Sequence, residues 1–449
     1  MFRRSLYFLG ALLVSASMWI WVQAIAIPHQ QVEAADRGAP RGNLSDLYPR
    51  WLGARELLLH HRDPYSTEIT REIQTGYYGR PLDPTRPNDP KDQQAFAYPI
   101  YVVFLLAPTV SFPFTIVHRV VFWLLAALTA LTVPLWLRTL GWRLSKTAVA
   151  ILILLTLSCL PAIQGLKLQQ LSVLVAALIA VAMYAISRAH YVIAGVLLAL
   201  ATIKPQLVFL LSLWLCIWIV GNLRVRRRLL VSFGSSMLIL VLAGEFLQPG
   251  WISEFRRAMQ DYYQYTGGGR SVLDVVLSPV WGRITSTFLI GVLLFVGWRN
   301  RRVGESSRLF QWSTCFVLAT TLLVIPTFAL YNQLLLLPGV MMAVRAILKL
   351  WQKSRFSRFF CCVATLSISW PFLSATCLVI ALALLPRTTV QKAWGLPFYP
   401  SFAIPITIYA LLLVSRNVMA DHALTGPGDE VVSALSAGAG SADLPAEKR

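Results

Sequence analysis

Long, uninterrupted apolar runs recur along this chain, among them residues 115–137, 229–248, 309–328 and 359–385. A helix needs ~20 such residues to cross the hydrocarbon core of a bilayer. Inside lipid every backbone N–H and C=O must be satisfied within a helix or a closed barrel. A barrel strand would alternate apolar and polar residues, and these runs do not alternate. The chain is therefore expected to be an all-α polytopic membrane protein. Composition agrees, since 56% of the 449 residues are hydrophobic and 13% charged, against about 25% charged in soluble domains. That leaves room for about a dozen crossings and excludes a soluble globular enzyme.

Lys and Arg number 40 against 20 Asp and Glu, a net charge of +20. The cations cluster in short connectors between apolar runs, as at Arg224, Arg226, Arg227 and Arg228 and at Arg299, Arg301 and Arg302. Cytoplasmic loops carry this pattern under the positive-inside rule. A nucleic-acid surface would need a soluble domain to bear it, so no nucleic-acid partner is expected. All six cysteines, at 159, 216, 315, 361, 362 and 377, lie in apolar stretches, where Cys acts as a small hydrophobe. No disulfide or metal pair is expected in the loops.

Residues 1–27, with a short basic head and an apolar run, read as an uncleaved signal anchor that sends the next segment outside. That segment, residues 28–97, is the longest polar stretch and holds half of the twenty acids. It reads as a long first extracytoplasmic loop carrying interfacial helices. Residues 47–61 are expected as an amphipathic surface helix with Leu47, Trp51, Leu58 and Leu59 on one side and Arg50, Arg55 and His61 elsewhere. Residues 76–92 read as loop.

Residues 98–137 are too long for one span and are broken by Pro108 and Pro113. Taking 98–112 as a short re-entrant or interfacial helix places every later basic loop inside. Ten further spans then follow, at 147–163, 170–187, 190–203, 206–221, 229–248, 284–298, 309–328, 331–346, 359–385 and 401–415. Twelve crossings in all put both termini in the cytoplasm, with residues 1–415 as the membrane domain and 416–449 as a disordered tail. Apart from the tail, Glu305 is the only cytoplasmic acid, so carboxylate chemistry is expected on the outer face. No internal repeat of the transporter kind is visible.

The order of short motifs carries more. Asp46 stands in SDLYPRWLGARELLLHHRDPY soon after the first span, followed by Asp63-Pro64-Tyr65. Tyr98-Pro99 opens the next apolar run, and then come Gln170 in LQQLSVLVAAL, Lys204-Pro205 in ATIKPQLVFLL and Tyr331 in LYNQLLLLP. In this order they resemble the GT-C class of membrane glycosyltransferases and, within it, glycosyltransferase family 87. Two departures stand out: Ile100 follows Tyr98-Pro99 where a second Pro is usual, and Gln169 stands where Gly often precedes the Gln. The resemblance implies a GT-C-like bundle and an inverting transfer of a hexose, with mannose as the implied sugar, from a polyprenyl-phosphate sugar to a lipid or cell-envelope glycan. It also implies substrate contacts by Tyr98, Gln170, Lys204 and Tyr331. The implied partners are membrane lipids, the sugar donor and the acceptor, at the plasma membrane. No protein partner and no obligatory cofactor are expected, and a divalent ion at the donor phosphate is left open.

Such a transfer needs a carboxylate as general base and cations for the departing phosphate. Asp46, just outside the first span, is the first candidate base. Its other possible role is to cap the helix starting at Leu47. Asp63 is the second candidate, although Asp-Pro-Tyr also suits a turn. Lys204 lies between two apolar runs and either contacts the donor phosphate or snorkels to the interface. Lys167, Arg256, Arg257 and Arg270 are either phosphate contacts or solvated loop charges, and Gly267, Gly268 and Gly269 would let backbone near Arg270 approach a phosphate. Glu245, inside an apolar run, either pairs with a loop cation or lines the cavity. Trp19, Trp21, Trp214 and Trp218 are expected in the interfacial belt. The competing function is a multi-pass transporter or lipid flippase, which the scarcity of carboxylates within spans disfavours. A non-catalytic scaffold for envelope assembly is a third reading.

Overall fold

Satisfying the backbone within each apolar run leaves helices, and every regular element among the described residues is helical. The computed structural model describes residues 2–39, 44–83, 85–326, 328–414 and 416–417, with side chains from Ser5 onward. The tail expected to be disordered lies outside them from residue 418.

Six helices are long and apolar enough to cross a membrane: Ser5–Asp36, Phe114–Thr139, Leu223–Leu247, Pro279–Arg299, Arg355–Leu384 and, with short breaks, Arg387–Val414. Two bent pairs, Lys146–Ser158 with Leu160–Lys167 (57°) and Leu330–Arg345 with Ile347–Lys353 (66°), raise the number to eight if each is one span. The first bend falls at Cys159, whose extended backbone precedes a helix with Pro161 in its first turn, where a proline ring disfavours continuation. Four shorter apolar helices, Leu171–Ser187, Tyr191–Ala201, Pro205–Val220 and Arg308–Val324, fill the bundle. The twelve expected crossings are thus six to eight by length and apolarity. Three of the short helices meet at polar turns sunk into protein: Gln169 is 0%, Gln170 3% and Lys204 7% exposed. Irregular backbone at such depth is tolerated where protein surrounds it.

The polar segment differs from expectation in two ways. The first helix continues beyond Ile27 to Asp36 through a π turn at Val22–Ala26. The helix Leu47–His60 is no surface helix, because it is packed against Thr67–Tyr78, Val102–Leu106 and Phe114–Thr139. Its buried face is Leu47, Trp51, Ala54 and Leu57, at helical spacing, while Leu59 is exposed. Arg62 ties it to its neighbour, its Nη1 donating to Glu56 Oε2 at 2.8 Å and to Glu72 Oε2 at 3.2 Å. Residues 98–112, expected as a short helix that does not cross, form the helix Val102–Leu106 and the turn Ala107–Thr109, roughly 12 Å at 1.5 Å per residue and too short to cross.

Among the tryptophans, Trp21, Trp214 and Trp218 are buried in the protein and not set in an interfacial belt. Trp214 and Trp218 pack on Phe310 with ring centroids 5.1 and 4.8 Å away. Glu245 caps a turn, its Oε1 accepting from Gly250 N–H at 2.7 Å.

The basic connectors gather at one end of the bundle. Arg226 is 2% exposed and is no solvated loop charge: its Nη1 donates to the Trp218 and Arg301 carbonyls at 2.6 and 2.8 Å and its Nη2 to Val303 O at 2.6 Å. Arg345 Nη1 reaches Leu140 O at 2.9 Å, and Gln311 Nε2 reaches Thr139 O at 2.9 Å. Backbone contact is close here too, since a Cβ on Gly221 would meet Arg301 O at 1.9 Å. Arg226→Ala should cost about 3 kcal/mol, because charge-assisted bonds to several buried carbonyls are lost together. A clear fall in the unfolding temperature of detergent-purified protein checks this, with exposed Arg228→Ala as the neutral control.

Candidate functional site

The helix Leu160–Lys167 ends where the chain reverses into Leu171–Ser187, and that reversal builds the site. Gln170 N–H closes on Gly165 O at 2.9 Å, with Gln169 at φ +51°. A left-handed backbone costs a residue with a Cβ about 1–2 kcal/mol, which is why a glycine is at home there. The Gln169 side chain offsets the cost. Its Oε1 accepts from Ser45 Oγ at 2.8 Å and its Nε2 donates to His118 O. Asp46 N–H adds a bond to Leu168 O at 2.8 Å. One turn thus holds the starts of Leu47–His60 and Phe114–Thr139.

Asp46 occupies the N-cap position of Leu47–His60, but its backbone is right-handed (φ −65°, ψ −5°) and its side chain makes no capping bond. The carboxylate turns into the protein instead. Oδ1 accepts from Tyr77 Oη at 3.2 Å, and Oδ2 accepts from Gln170 Nε2. Burial first, then the charges of Asp46 and Asp92, push the Tyr77 hydroxyl well above its ordinary range, so it stays a proton donor at neutral pH.

Gln170 bridges the carboxylate to a cation. Its Oε1 accepts from Lys204 Nζ at 2.6 Å while its Nε2 faces Asp46; only this amide orientation satisfies both neighbours. Lys204, followed by Pro205 in the first turn of Pro205–Val220, does not snorkel. Its Nζ also donates to Ser172 Oγ at 2.7 Å and lies 5.0 Å from the Tyr331 ring and 5.7 Å from the Tyr98 ring. Ser172 Oγ passes the network on to Asn332 Oδ1 at 2.7 Å.

Arg50 and Asp92 complete the group, and neither was among the expected site residues. Arg50 stands one turn after Asp46 on the same helix face, a spacing that could have flagged it. Its Nη1 donates to Asp46 O at 2.6 Å, its guanidinium lies 4.6 Å over the Tyr98 ring, and its buried Nε has no hydrogen-bond partner. Asp92, in the irregular segment 79–101, had no sequence signal. The residue as a whole is exposed to solvent, while its carboxyl group is desolvated by neighbouring atoms. That local desolvation, then the like charge of Asp46, hold its carboxyl above the usual carboxylate range, with Arg50 opposing.

The other expected residues lie apart from this network. Asp63 Oδ1 accepts from Tyr65 N–H at 3.0 Å, the turn its Asp-Pro-Tyr setting suggests. Partial burial raises its pKa, with Glu254 adding and Arg257 opposing. Tyr65 Oη then donates to Tyr98 O at 2.7 Å, so the turn props Tyr98. Lys167 Nζ donates to Gln30 Oε1, and its charge interacts with Asp46 from behind the turn. Arg257 pairs with Glu254 at 2.9 Å on an exposed face. Arg270 is exposed, and its carbonyl accepts from Phe328 N–H at 3.1 Å.

The Gln169 turn allows a sharp comparison. Gln169→Gly relieves the backbone but leaves His118 O and Ser45 Oγ without their partner, a loss of about 1–3 kcal/mol for each buried group. Gln169→Ala loses the same bonds and keeps the strain. Both should lower the unfolding temperature, Ala by about 1 kcal/mol more than Gly, as thermal denaturation of the two purified variants would reveal.

Residues 96–367 match the sequence pattern described as Glycosyltransferase family 87. Tyr98, Lys167, Gln170, Lys204, Arg270 and Tyr331 fall inside the match, whereas Asp46, Arg50, Asp63 and Asp92 precede it. No curated protein and no solved structure matches the chain. With more than half of its length matched, and with membrane-length apolar helices around the site, the chain belongs to glycosyltransferase family 87 and is a membrane glycosyltransferase.

Proposed function

We propose that this glycosyltransferase moves a hexose, mannose by family resemblance, from a polyprenyl-phosphate donor to a lipid or cell-envelope glycan on the outer face of the cytoplasmic membrane. The observation that carries the reading is the convergence of Asp46, Gln170, Lys204, Tyr98 and Tyr331 beside an apolar cleft. This cleft, about 270 Å³, is lined by Leu155, Leu160, Val340, Phe372 and Ile404 and by Leu330, the neighbour of Tyr331. It shares Trp142, Leu152, Leu155 and Val344 with a second apolar cleft of about 530 Å³ against Leu6 and Ala11. An isoprenoid tail suits such walls, with its phosphate near the site cations.

In this reaction Asp46 takes the proton of an acceptor hydroxyl as that oxygen attacks the anomeric carbon. The bond from that carbon to the phosphate oxygen breaks, and its electron pair leaves with the polyprenyl phosphate, inverting the centre. Tyr77 and Gln170 hold the carboxylate while leaving it lone pairs for the acceptor. Lys204 contributes a buried positive charge, and Arg50 a guanidinium with donors for the departing phosphate. Asp63 supports Tyr98 and has no chemical role. The charge distribution supports the sidedness: among the described residues Glu305 is the only acid at the basic end, which we assign to the cytoplasm with both termini, the short helices and bent pairs completing twelve crossings.

A transfer assay with purified protein, labelled polyprenyl-phosphate sugars and membrane lipid acceptors tests the reading. Asp46→Asn should lower turnover roughly 100-fold or more at unchanged unfolding temperature, while Asp63→Asn stays near wild type. Lys204→Ala should chiefly raise the apparent KM for the donor. Normal turnover by Asp46→Asn would remove it as the base, and a flippase would transfer no sugar at all. Topology is checked separately by thiol labelling in a background without native cysteines: Asp83→Cys should react from outside, Arg227→Cys only after permeabilisation.

A further inference from the structure

Gln170, Ser172 and Lys204 are buried, so a lipid-borne sugar reaches them only where a wall of the site can move. The helix Trp251–Thr266 is built as such a wall. Trp251, Phe255, Ala258, Met259, Tyr262 and Tyr265 are buried or half-buried and recur at helical spacing, while Arg256, Arg257, Gln260, Asp261 and Gln264 are exposed. The inner face lies across the segment that carries Tyr98. At one end Trp251 packs edge to face on Tyr101 with ring centroids 5.8 Å apart, and Tyr101 Oη donates to Thr202 O at 3.0 Å, two residues before Lys204. At the other end Tyr265 Oη donates to Pro90 O at 3.1 Å and Tyr262 Oη to Asp92 Oδ1 at 3.4 Å. The backbone there is tied to the base: Tyr78 Oη donates to Asp92 O at 2.8 Å, and the adjacent Tyr77 donates to Asp46.

Both ends of this helix are fixed and its middle is not. Trp251 is its only buried residue, pressed so close to Gly244 that a Cβ there would meet Trp251 Nε1 at 3.0 Å. Beyond the other end, Ser271 and Asp274 cap the next helix reciprocally. Between these anchors no other helix packs lengthwise against it among the described residues, and Tyr262 and Tyr265 make the only hydrogen bonds from its side chains to another element. A helix of 16 residues with little packing is marginal, and its opening costs little. Gly250, Gly267 and Gly268 flank it at φ +76°, +74° and +78°, a backbone that glycine adopts freely and that suits a hinge. We infer that Trp251–Thr266 is a hinged cover over the transfer site, latched by Tyr262 and Tyr265, which opens to admit substrate and closes to exclude water. The inference rests on the transfer reading above, and makes the two tyrosines positioning residues. With the cover open, water takes the acceptor's place: its oxygen bonds to the anomeric carbon, its proton goes to Asp46, and the electron pair of the broken carbon–oxygen bond leaves with polyprenyl phosphate, releasing free sugar.

The cover is tested on the full-length protein in a background without native cysteines. Met259→Cys, on the inner face, should react with a water-soluble maleimide more slowly than Gln260→Cys on the outer face. Adding Tyr262→Phe and Tyr265→Phe together should speed the Met259→Cys reaction about ten-fold, the effect of losing two neutral hydrogen bonds. Each alone should speed it less, and the Gln260→Cys rate and the unfolding temperature should not change. In the transfer assay with polyprenyl-phosphate sugar, the double variant should release several times more free sugar per sugar transferred than wild type. A merely structural defect would lower both products together and leave that ratio unmoved. Equal reactivity at positions 259 and 260 in the latched protein overturns the proposal, as does a Met259→Cys rate indifferent to the two tyrosines or an unchanged product ratio. If wild type neither transfers nor hydrolyses the donor, the transfer reading fails instead, and the thiol rates decide the hinged helix by themselves.

Discussion

An amide between a carboxylate and an ammonium organises this protein. Gln170 separates Asp46 from Lys204, one partner on each end of its side chain. A direct ion pair would neutralise both groups and leave neither available to a substrate. An isolated buried lysine would be costly in the opposite way. The amide gives each group a hydrogen bond without pairing the two directly, and Ser172 and Asn332 extend the same arrangement inward. Because Gln170 begins one helix and Lys204 another, the bridge also sets the depth at which two short helices stop.

The two ends of the bundle obey different physics. At the basic end, cations are used as structure: Arg226 and Arg345 bind carbonyls of neighbouring turns and close the helix ends. At the acidic end, charge is only partly matched. Arg50 has a buried N–H without a partner, and Asp92 carries its charge against Asp46. Unmatched polarity of this kind is costly for folding and leaves polar groups available to a ligand.

Much of the candidate site was legible because it sits in short local patterns. Asp46 after the first apolar run, the paired glutamines before Leu171, and Lys204-Pro205 are all visible in single segments. The glycine expected at position 169 reflects a backbone requirement, which the Gln side chain meets by tying two other helices to the turn. Elsewhere local pattern misled. Leu58 and Leu59 suggested a surface helix, yet the helix is enclosed and its buried row runs through Ala54 and Leu57. Trp214 and Trp218 stand near helix ends but stack on Phe310, a partner about a hundred residues away in the chain that no window contains.

The amino-acid sequence alone determined that the chain is helical and built for a membrane, and where some of its turns fall, such as those at Gln170 and Lys204. Those outcomes follow from each run's own hydropathy and backbone, so they are local properties. Which turns are buried, and which side chains meet, was decided only by the tertiary structure. Asp46 and Gln170 lie 124 residues apart and Asp92 and Tyr262 lie 170 apart. Contacts over such distances depend on how whole helices pack, and no stretch of sequence records that packing.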